Sequence, residues 1–442
     1  MRDGVRDEVG FIAPIEGLRG IAVLWVVAFH YMVLREAAFA ADPWIAWVKG
    51  FEPANVVIHH GFLGVDLFFL ITGFLLTLPW FRHADENRAP PSTRDFYRRR
   101  AFRILPAYYV QLAFLFLVCV PLLRAPTDLR SDLVFYGVNL VAHLTMLHYT
   151  TPLTSASLSL NGALWTLALE AQYYLLLPLL APLFVRAPRR AALALTAIAL
   201  WWHWASYNDL SPLVALEMML GKPWNLPEGT IRHLLVTQLP AYLAHFAIGI
   251  LAGRAWMRWR GRTPSPARQV AWIAAVVVAL LVLYRIHRPG GQWLGEHTWI
   301  LIPVTLGIAM LALVSSGSGI GRALLANGAL LFTGRCSYSM YLYHVPLLLL
   351  WNRYAPRDLG AATLPLYLAA LFAISWLSWR YVERRFIARP ASGAPGTGPD
   401  GERRDDGERL QERHAPEHGG IAARVHEEAE HDRRDRQPRV DA

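Results

Sequence analysis

Cysteine is nearly absent from this chain, with two residues in 442, Cys119 and Cys336. Both fall in apolar runs near opposite membrane faces in the layout below, which excludes a disulfide framework and offers no metal-ligand cluster. Charge is scarce too: Asp, Glu, Lys and Arg make up 17% of the residues against 54% hydrophobic ones, and mean hydropathy is +0.28. That balance excludes an ordinary soluble domain and fits a membrane protein. The basic excess of +10 lies beside apolar spans, so it reads as membrane topology and not as a nucleic-acid groove. No internal repeat, nucleotide-cradling Gly-rich loop or small-residue signal-cleavage pattern occurs, and the first apolar run is expected to remain as an uncleaved helix.

What the chain has in abundance is long apolar runs. Taking a span as roughly 17 to 25 mainly apolar residues, and admitting shorter runs that neighbours continue, gives about ten. They are Pro14–Leu34, Gly61–Pro79, Phe102–Leu123, Gly162–Val185, Ala191–Ser206, Leu234–Ala252, Val270–Tyr284, Trp299–Val314, Gly328–Trp351 and Leu364–Tyr381. The expected fold is all-α, a polytopic membrane helix bundle with both termini cytoplasmic, because that orientation places the clusters at Arg98, Arg186 and Arg254 inside. Leu133–Tyr149 is apolar but interrupted by Asn139 and His143, and counting it as a span would turn every later basic cluster outward. It is therefore expected to be an interfacial or re-entrant piece. Residues 1–387 form the membrane domain on this reading, and the polar residues 388–442 a disordered, charged cytoplasmic tail.

Within the spans, a few polar side chains stand out. In EGLRGIAVLWVVAFHY, Arg19 and His30 are eleven residues apart, about three turns and about 16 Å on one helix face. Alone, Arg19 reads equally as a snorkelling anchor and His30 as a satisfied core histidine; together they suggest a polar path. Asp66 lies near the outer end of GFLGVDLFFLITGFLLT, where a helix-start role competes with a role in a site. In FYRRRAFRILP, Arg100 and Arg103 share a face, and Arg103 opens the apolar run, where a guanidinium fork suits phosphate better than lipid. Glu170 in LWTLALEAQYY is expected about two turns in from the outer end of its span, either neutral or as a functional carboxylate. Ser337, Tyr338, Tyr341 and His344 lie in RCSYSMYLYHVP, with Ser337, Tyr341 and His344 along one stripe and His344 at about the depth of His30.

These stretches, in this order, resemble acyltransferase family 3, a family of polytopic membrane proteins. It includes bacterial O-acetyltransferases of lipopolysaccharide, peptidoglycan and exopolysaccharide sugars, and acyltransferases for macrolides. The resemblance runs over roughly residues 11 to 387. It implies a multi-pass protein of the bacterial inner membrane that moves an acyl group, acetyl above all, from cytoplasmic acyl-coenzyme A to a hydroxyl of a sugar or glycoconjugate. Acyl-coenzyme A is then a co-substrate, with no bound cofactor or metal and no nucleic-acid partner. His30 and Arg19 match the family's paired functional residues, and Arg100 and Arg103 its inner arginine motif. Thr72 and Thr166 stand where the family commonly has Ser, which questions any hydroxyl-specific role there. The tail stands where some members carry an extracytoplasmic esterase-like domain.

The chemistry then divides among these residues. Arg19, Arg100 and Arg103 are expected to hold the donor's phosphates, His30 to act as base, and Glu170 to orient the imidazole or stabilise its charged form. Asp66, Ser337, Tyr338, Tyr341 and His344 are expected to line the site. The rival reading is a transmembrane transporter of a polar small molecule, which also needs intramembrane His, Glu and Arg.

Overall fold

The computed structural model of the protein describes residues 12–39, 42–124, 133–150, 154, 160–208, 234–260, 265–286, 299–315 and 324–387. Residues 388–442 lie outside these. The described residues form helices and turns without strands. In chain order they are α1 (Ala13–Ala38), α2 (Pro43–Gly50), α3 (Glu52–His59), α4 (Leu63–Asp85), α5 (Thr93–Phe114), α6 (Leu133–Leu144), α7 (Trp165–Arg186), α8 (Pro188–Tyr207), α9 (Leu239–Trp259), α10 (Pro266–Ile286), α11 (Leu301–Ser315), α12 (Gly328–Tyr354) and α13 (Thr363–Ser378). Two of these run on through a π turn, α5 by Leu115–Cys119 and α13 by Trp379–Glu383.

Among the described residues, six helical stretches are long and apolar enough to cross a bilayer: Ala13–Ala38, Leu63–Asp85, Thr93–Leu123, Gly162–Arg186, Leu234–Trp259 and Leu359–Ile387. The protein is a multi-pass membrane helix bundle. The other four expected spans coincide with α8, α10, α11 and α12, which do not meet that measure. α11 has 15 residues, about 22 Å, against a hydrocarbon core of about 30 Å. α12 is long, but its buried face carries Thr333, Ser337, Ser339, Tyr341 and His344.

Lipid gives helices no hydrophobic reason to associate, so close packing of small residues does the work. A Cβ on Gly334 would lie 2.1 Å from the Glu16 carbonyl oxygen, and one on Gly17 1.9 Å from that of Leu325, so α1 and α12 meet backbone to backbone. The pairs Glu16 with Gly334, His30 with His344 and Arg35 with Asn352 rise together, so the two helices run parallel. α4 and α9 are likewise parallel, with Asp66 beside His245, Leu70 beside Gly249 and Phe74 beside Gly253. Gly73 sits 2.4 Å, by its absent Cβ, from the Phe246 carbonyl oxygen and is a packing residue. α4 runs antiparallel to α1, with Gly64 against the Ala22 carbonyl oxygen. Parallel α4 and α9 need an odd number of crossings between them. Between them stand the described helices α5, α7 and α8 and the shorter α6, and three crossings would meet that parity where four would not.

α6 has 12 residues, about 18 Å, too short to span. Its polar residues turn into the protein: Asn139 is fully buried, and the His143 ring stacks on His148 at 4.2 Å. His148 Nε2–H donates to the Leu164 carbonyl oxygen (2.9 Å), and Asn161 Nδ2–H to that of Leu342 (3.0 Å). The chain thus enters α7 beside the middle of α12, deep in the bundle.

Candidate active site

Two imidazoles meet toward the C-terminal end of α1 on the α1–α12 seam, the outer end on the expected topology. His344, fully buried, donates from Nδ1–H to the Tyr341 carbonyl oxygen at 2.7 Å, which leaves Nε2 as an acceptor. That Nε2 lies 3.3 Å from His30 Nδ1, whose proton also faces the Val26 carbonyl oxygen at 3.0 Å. With Nδ1 of His30 fixed as the donor, Nε2 carries the lone pair, and no described residue bonds to it. A base oriented by a neighbour through its other nitrogen is the arrangement that general-base chemistry needs.

The seam is held in register at both ends. Below His30 it is pinned by the glycine contacts. Above it, Arg35 and Asp42 form a buried ion pair (3.1 Å), Tyr31 donates to Asp42 (2.9 Å), and Arg35 reaches Asn352 Oδ1 on α12 (3.0 Å). Asn352 in turn donates to the Leu34 carbonyl oxygen (3.2 Å). Neither this network nor its residues carried a signal in the sequence, because a charged pair at a helix end reads as ordinary surface.

The inner part gathers charge. α5 begins at Thr93, earlier than the expected Phe102, with Ser92 Oγ accepting from the Asp95 N–H. Arg100 and Arg103 are therefore helical and share a face. Arg19 pairs with Glu16 at 3.6 Å and lies within electrostatic reach of Arg103, Glu170 and Glu383. Arg103 faces Glu16, Glu170 and Glu383 as well. Among the described residues, neither Arg100 nor Arg103 closes an ion pair, and Arg100 Nε is buried without a partner. Guanidinium donors left unspent in a buried setting are what a phosphate-binding site requires.

Glu170 is placed differently from the expectation. α7 starts deep, so its sixth residue lies with the arginines and not near the outer end. Thr72 Oγ1–H donates to its Oε1 (3.5 Å) and so does the Tyr174 hydroxyl. The ring beside His30 Nδ1 is that of His344, and Glu170 lies within electrostatic reach of Arg19, Arg100 and Arg103. Asp66 also leaves the His30 side: Gly64 faces α1, and two residues on, about 200° around the helix, Asp66 accepts from His245 Nε2–H on α9 at 2.6 Å.

The remaining expected residues brace the site. Tyr338 donates to the Ile104 carbonyl oxygen (3.0 Å), directly after Arg103. Tyr341 donates to the Ala163 carbonyl oxygen and lies 2.8 Å from Thr166 Oγ1. Ser337 is buried with no partner for its hydroxyl. Thr72 and Thr166 both use their hydroxyls, so threonine serves at these places. Sequence reasoning missed Glu383, a buried carboxylate bonded by the Ser339 hydroxyl. Ser378 and Glu383 are five apart, which on an α-helix puts them about 140° apart. The π turn, with its i to i+5 spacing, brings both onto α12.

Comparison with known proteins gives the chemistry a setting. A family profile described as an acyltransferase domain matches residues 12–380. The peptidoglycan O-acetyltransferase OatA of Listeria monocytogenes is 24% identical over 402 residues, 87% of this chain and 57% of that protein. The O-acetyltransferase OatA of Staphylococcus aureus is 23% identical over 396 residues, 86% of this chain and 57% of that protein. The chain thus spans a little over half the length of these curated relatives. No solved structure matches it.

Proposed function

The chain belongs to this family of acyltransferase domains, and from that premise we propose that it is a membrane O-acyltransferase. It carries an acyl group, acetyl by the names of its relatives, from cytoplasmic acyl-coenzyme A to a hydroxyl of a sugar or glycoconjugate, a cell-surface polysaccharide being the class those names suggest. The observation that carries this reading is a free imidazole nitrogen at His30 on the same helix as Arg19, about 16 Å of rise away, with Arg19 within electrostatic reach of Arg103, which closes no ion pair among the described residues. That separation suits a ligand with phosphates at one end and a thioester at the other.

In this scheme Arg19, Arg100 and Arg103 hold the phosphates. His30 Nε2 takes the proton of the acceptor hydroxyl as its oxygen attacks the thioester carbonyl. A C–O bond forms, the C–S bond breaks, and the proton on His30 passes to the departing sulfur. While His30 is charged, its Nδ1–H donates to His344 Nε2, which stabilises the imidazolium.

The parallel pairs α1 with α12 and α4 with α9 support ten crossings with α6 excluded, and the basic clusters support cytoplasmic termini in a bacterial plasma membrane. Residues 1–387 are then the membrane domain and 388–442 a cytoplasmic tail. The direct test is the purified protein in nanodiscs with acetyl-labelled coenzyme A and surface-glycan oligosaccharides, read by mass spectrometry for an acetyl ester. Ester formation that His30→Ala abolishes supports the proposal; no transfer from the thioester to any hydroxyl, with solute movement in liposomes instead, would replace it with the transporter reading.

A further inference from the structure

The inner cluster is electrically balanced before any donor arrives. Arg19, Arg100 and Arg103 supply three positive charges, and Glu16, Glu170 and Glu383 supply three negative ones in the same buried region. Phosphates brought against these arginines meet the carboxylates too. Like charges forced into one buried site make protonation of a carboxylate favourable. The three carboxylates are not equivalent. Glu16 has Arg19 at 3.6 Å, and Glu170 accepts from both Tyr174 and Thr72. Glu383 is buried, has no arginine within ion-pair distance, and accepts from Ser339 alone among the bonds the described residues make. Around it stand Arg19 from α1, Arg103 from α5, and Cys336, Tyr338, Ser339 and Tyr343 from α12.

We propose that Glu383 is the proton acceptor of the donor site: it takes up one proton when the donor's phosphates bind between Arg19 and Arg103, so that donor binding is coupled to pH. As a carboxylic acid it donates toward the incoming phosphate oxygens or to Ser339 Oγ, and the cluster gains no uncompensated charge from its side. No bond other than the O–H is made, and the proton comes from the cytoplasmic solvent. This inference rests on acyl-coenzyme A being the donor. The sign follows from linkage. A bound state that holds one more proton than the free state is favoured at low pH, and between the free-state and the bound-state pKa of Glu383 the donor's Kd rises about tenfold per pH unit.

The test is isothermal calorimetry of coenzyme A binding to the full chain in nanodiscs, in two buffers of different ionisation enthalpy, from pH 6 to 8.5. The expected result for the native protein is uptake of about one proton with the linked rise in Kd. Glu383→Gln, which keeps a group for Ser339, should bind with little uptake, a flat profile and several-fold higher affinity at pH 8. Glu383→Asp, which keeps the charge, should retain the uptake and separates loss of charge from loss of shape. Binding by the native protein without proton uptake, or uptake unchanged in Glu383→Gln, overturns this inference and leaves the proposed function standing. Failure of the native protein to bind coenzyme A at all overturns the donor reading itself.

Discussion

At the inner end of the seam three guanidiniums face three carboxylates and only Arg19 with Glu16 closes an ion pair, whereas at the outer end two imidazoles have every nitrogen but one assigned. On the proposed function the inner cluster exchanges internal counter-charges for those of a ligand, its members being in electrostatic reach of one another with no ion pair closed beyond that of Arg19 with Glu16. The outer pair is ordered by hydrogen bonds at three of its four ring nitrogens, with His30 Nε2 the one left over. Substitutions inside should therefore move donor affinity, and substitutions outside should move turnover, even though Arg19 and His30 stand on one helix.

His30→Ala breaks the outer half completely, and kcat is expected to fall by about 10²–10⁴ with donor Kd retained. Turnover by well-folded variant within a few-fold of native would remove His30 from the chemistry. His344→Ala leaves the base but frees its ring, and a misplacement of about 1 Å is worth about 10²-fold in kcat, again without a change in donor Kd. A matching rise in Kd would put His344 in the donor site instead.

Arg103→Ala tests the inner half. Loss of a charge-assisted phosphate contact, about 1.5–3 kcal/mol, should raise donor Kd by about tenfold to a hundredfold, with turnover at saturation little affected. Arg103→Lys should recover part of that, because the charge returns without the fork. Unchanged donor affinity in both would reduce Arg103 to a topology signal. Glu170→Gln sharpens the same contrast: it keeps an acceptor for Tyr174 and Thr72 while removing a charge from the arginines, so donor Kd should shift and kcat should fall far less than in His344→Ala. A loss of turnover equal to that of His344→Ala would return Glu170 to the side of the base.

The smallest effect on chemistry is expected at Asn352. Asn352→Ala removes the α12 partner of Arg35 Nη1 and of the Leu34 carbonyl, which costs about 1–3 kcal/mol of stability. It should lower the melting temperature in detergent with kcat within a few-fold of native. A large kcat loss at normal stability would make the Arg35 network part of the catalytic geometry, not merely its support.

Much of the site was legible because lipid makes polar residues conspicuous. Arg19, His30, Arg103, Glu170 and His344 stand in apolar runs where each demands a reason, and an eleven-residue spacing on a helix has a computable length. Glu170 was misplaced because its depth was measured from the start of its own apolar run, while α7 begins beside Leu342 after Asn161 has carried the chain inward. Glu383 was invisible because a period of 3.6 residues does not foresee a π turn. For Asp66 a helix-start role and a place lining the site were both open; it lies in the first turn of α4, and only the parallel packing of α4 on α9 shows that it faces His245.

By itself the sequence determined the family, the membrane setting and the helix that carries both Arg19 and His30, since all three follow from local composition and the fixed rise of a helix. Which carboxylate lies near which cation, and that an imidazole stands against His30, were decided by tertiary structure alone. Those partners lie on α1, α5, α7, α12 and the turn after α13, and contacts between helices depend on the glycine-set approach and rotation of each pair, which no single helix encodes.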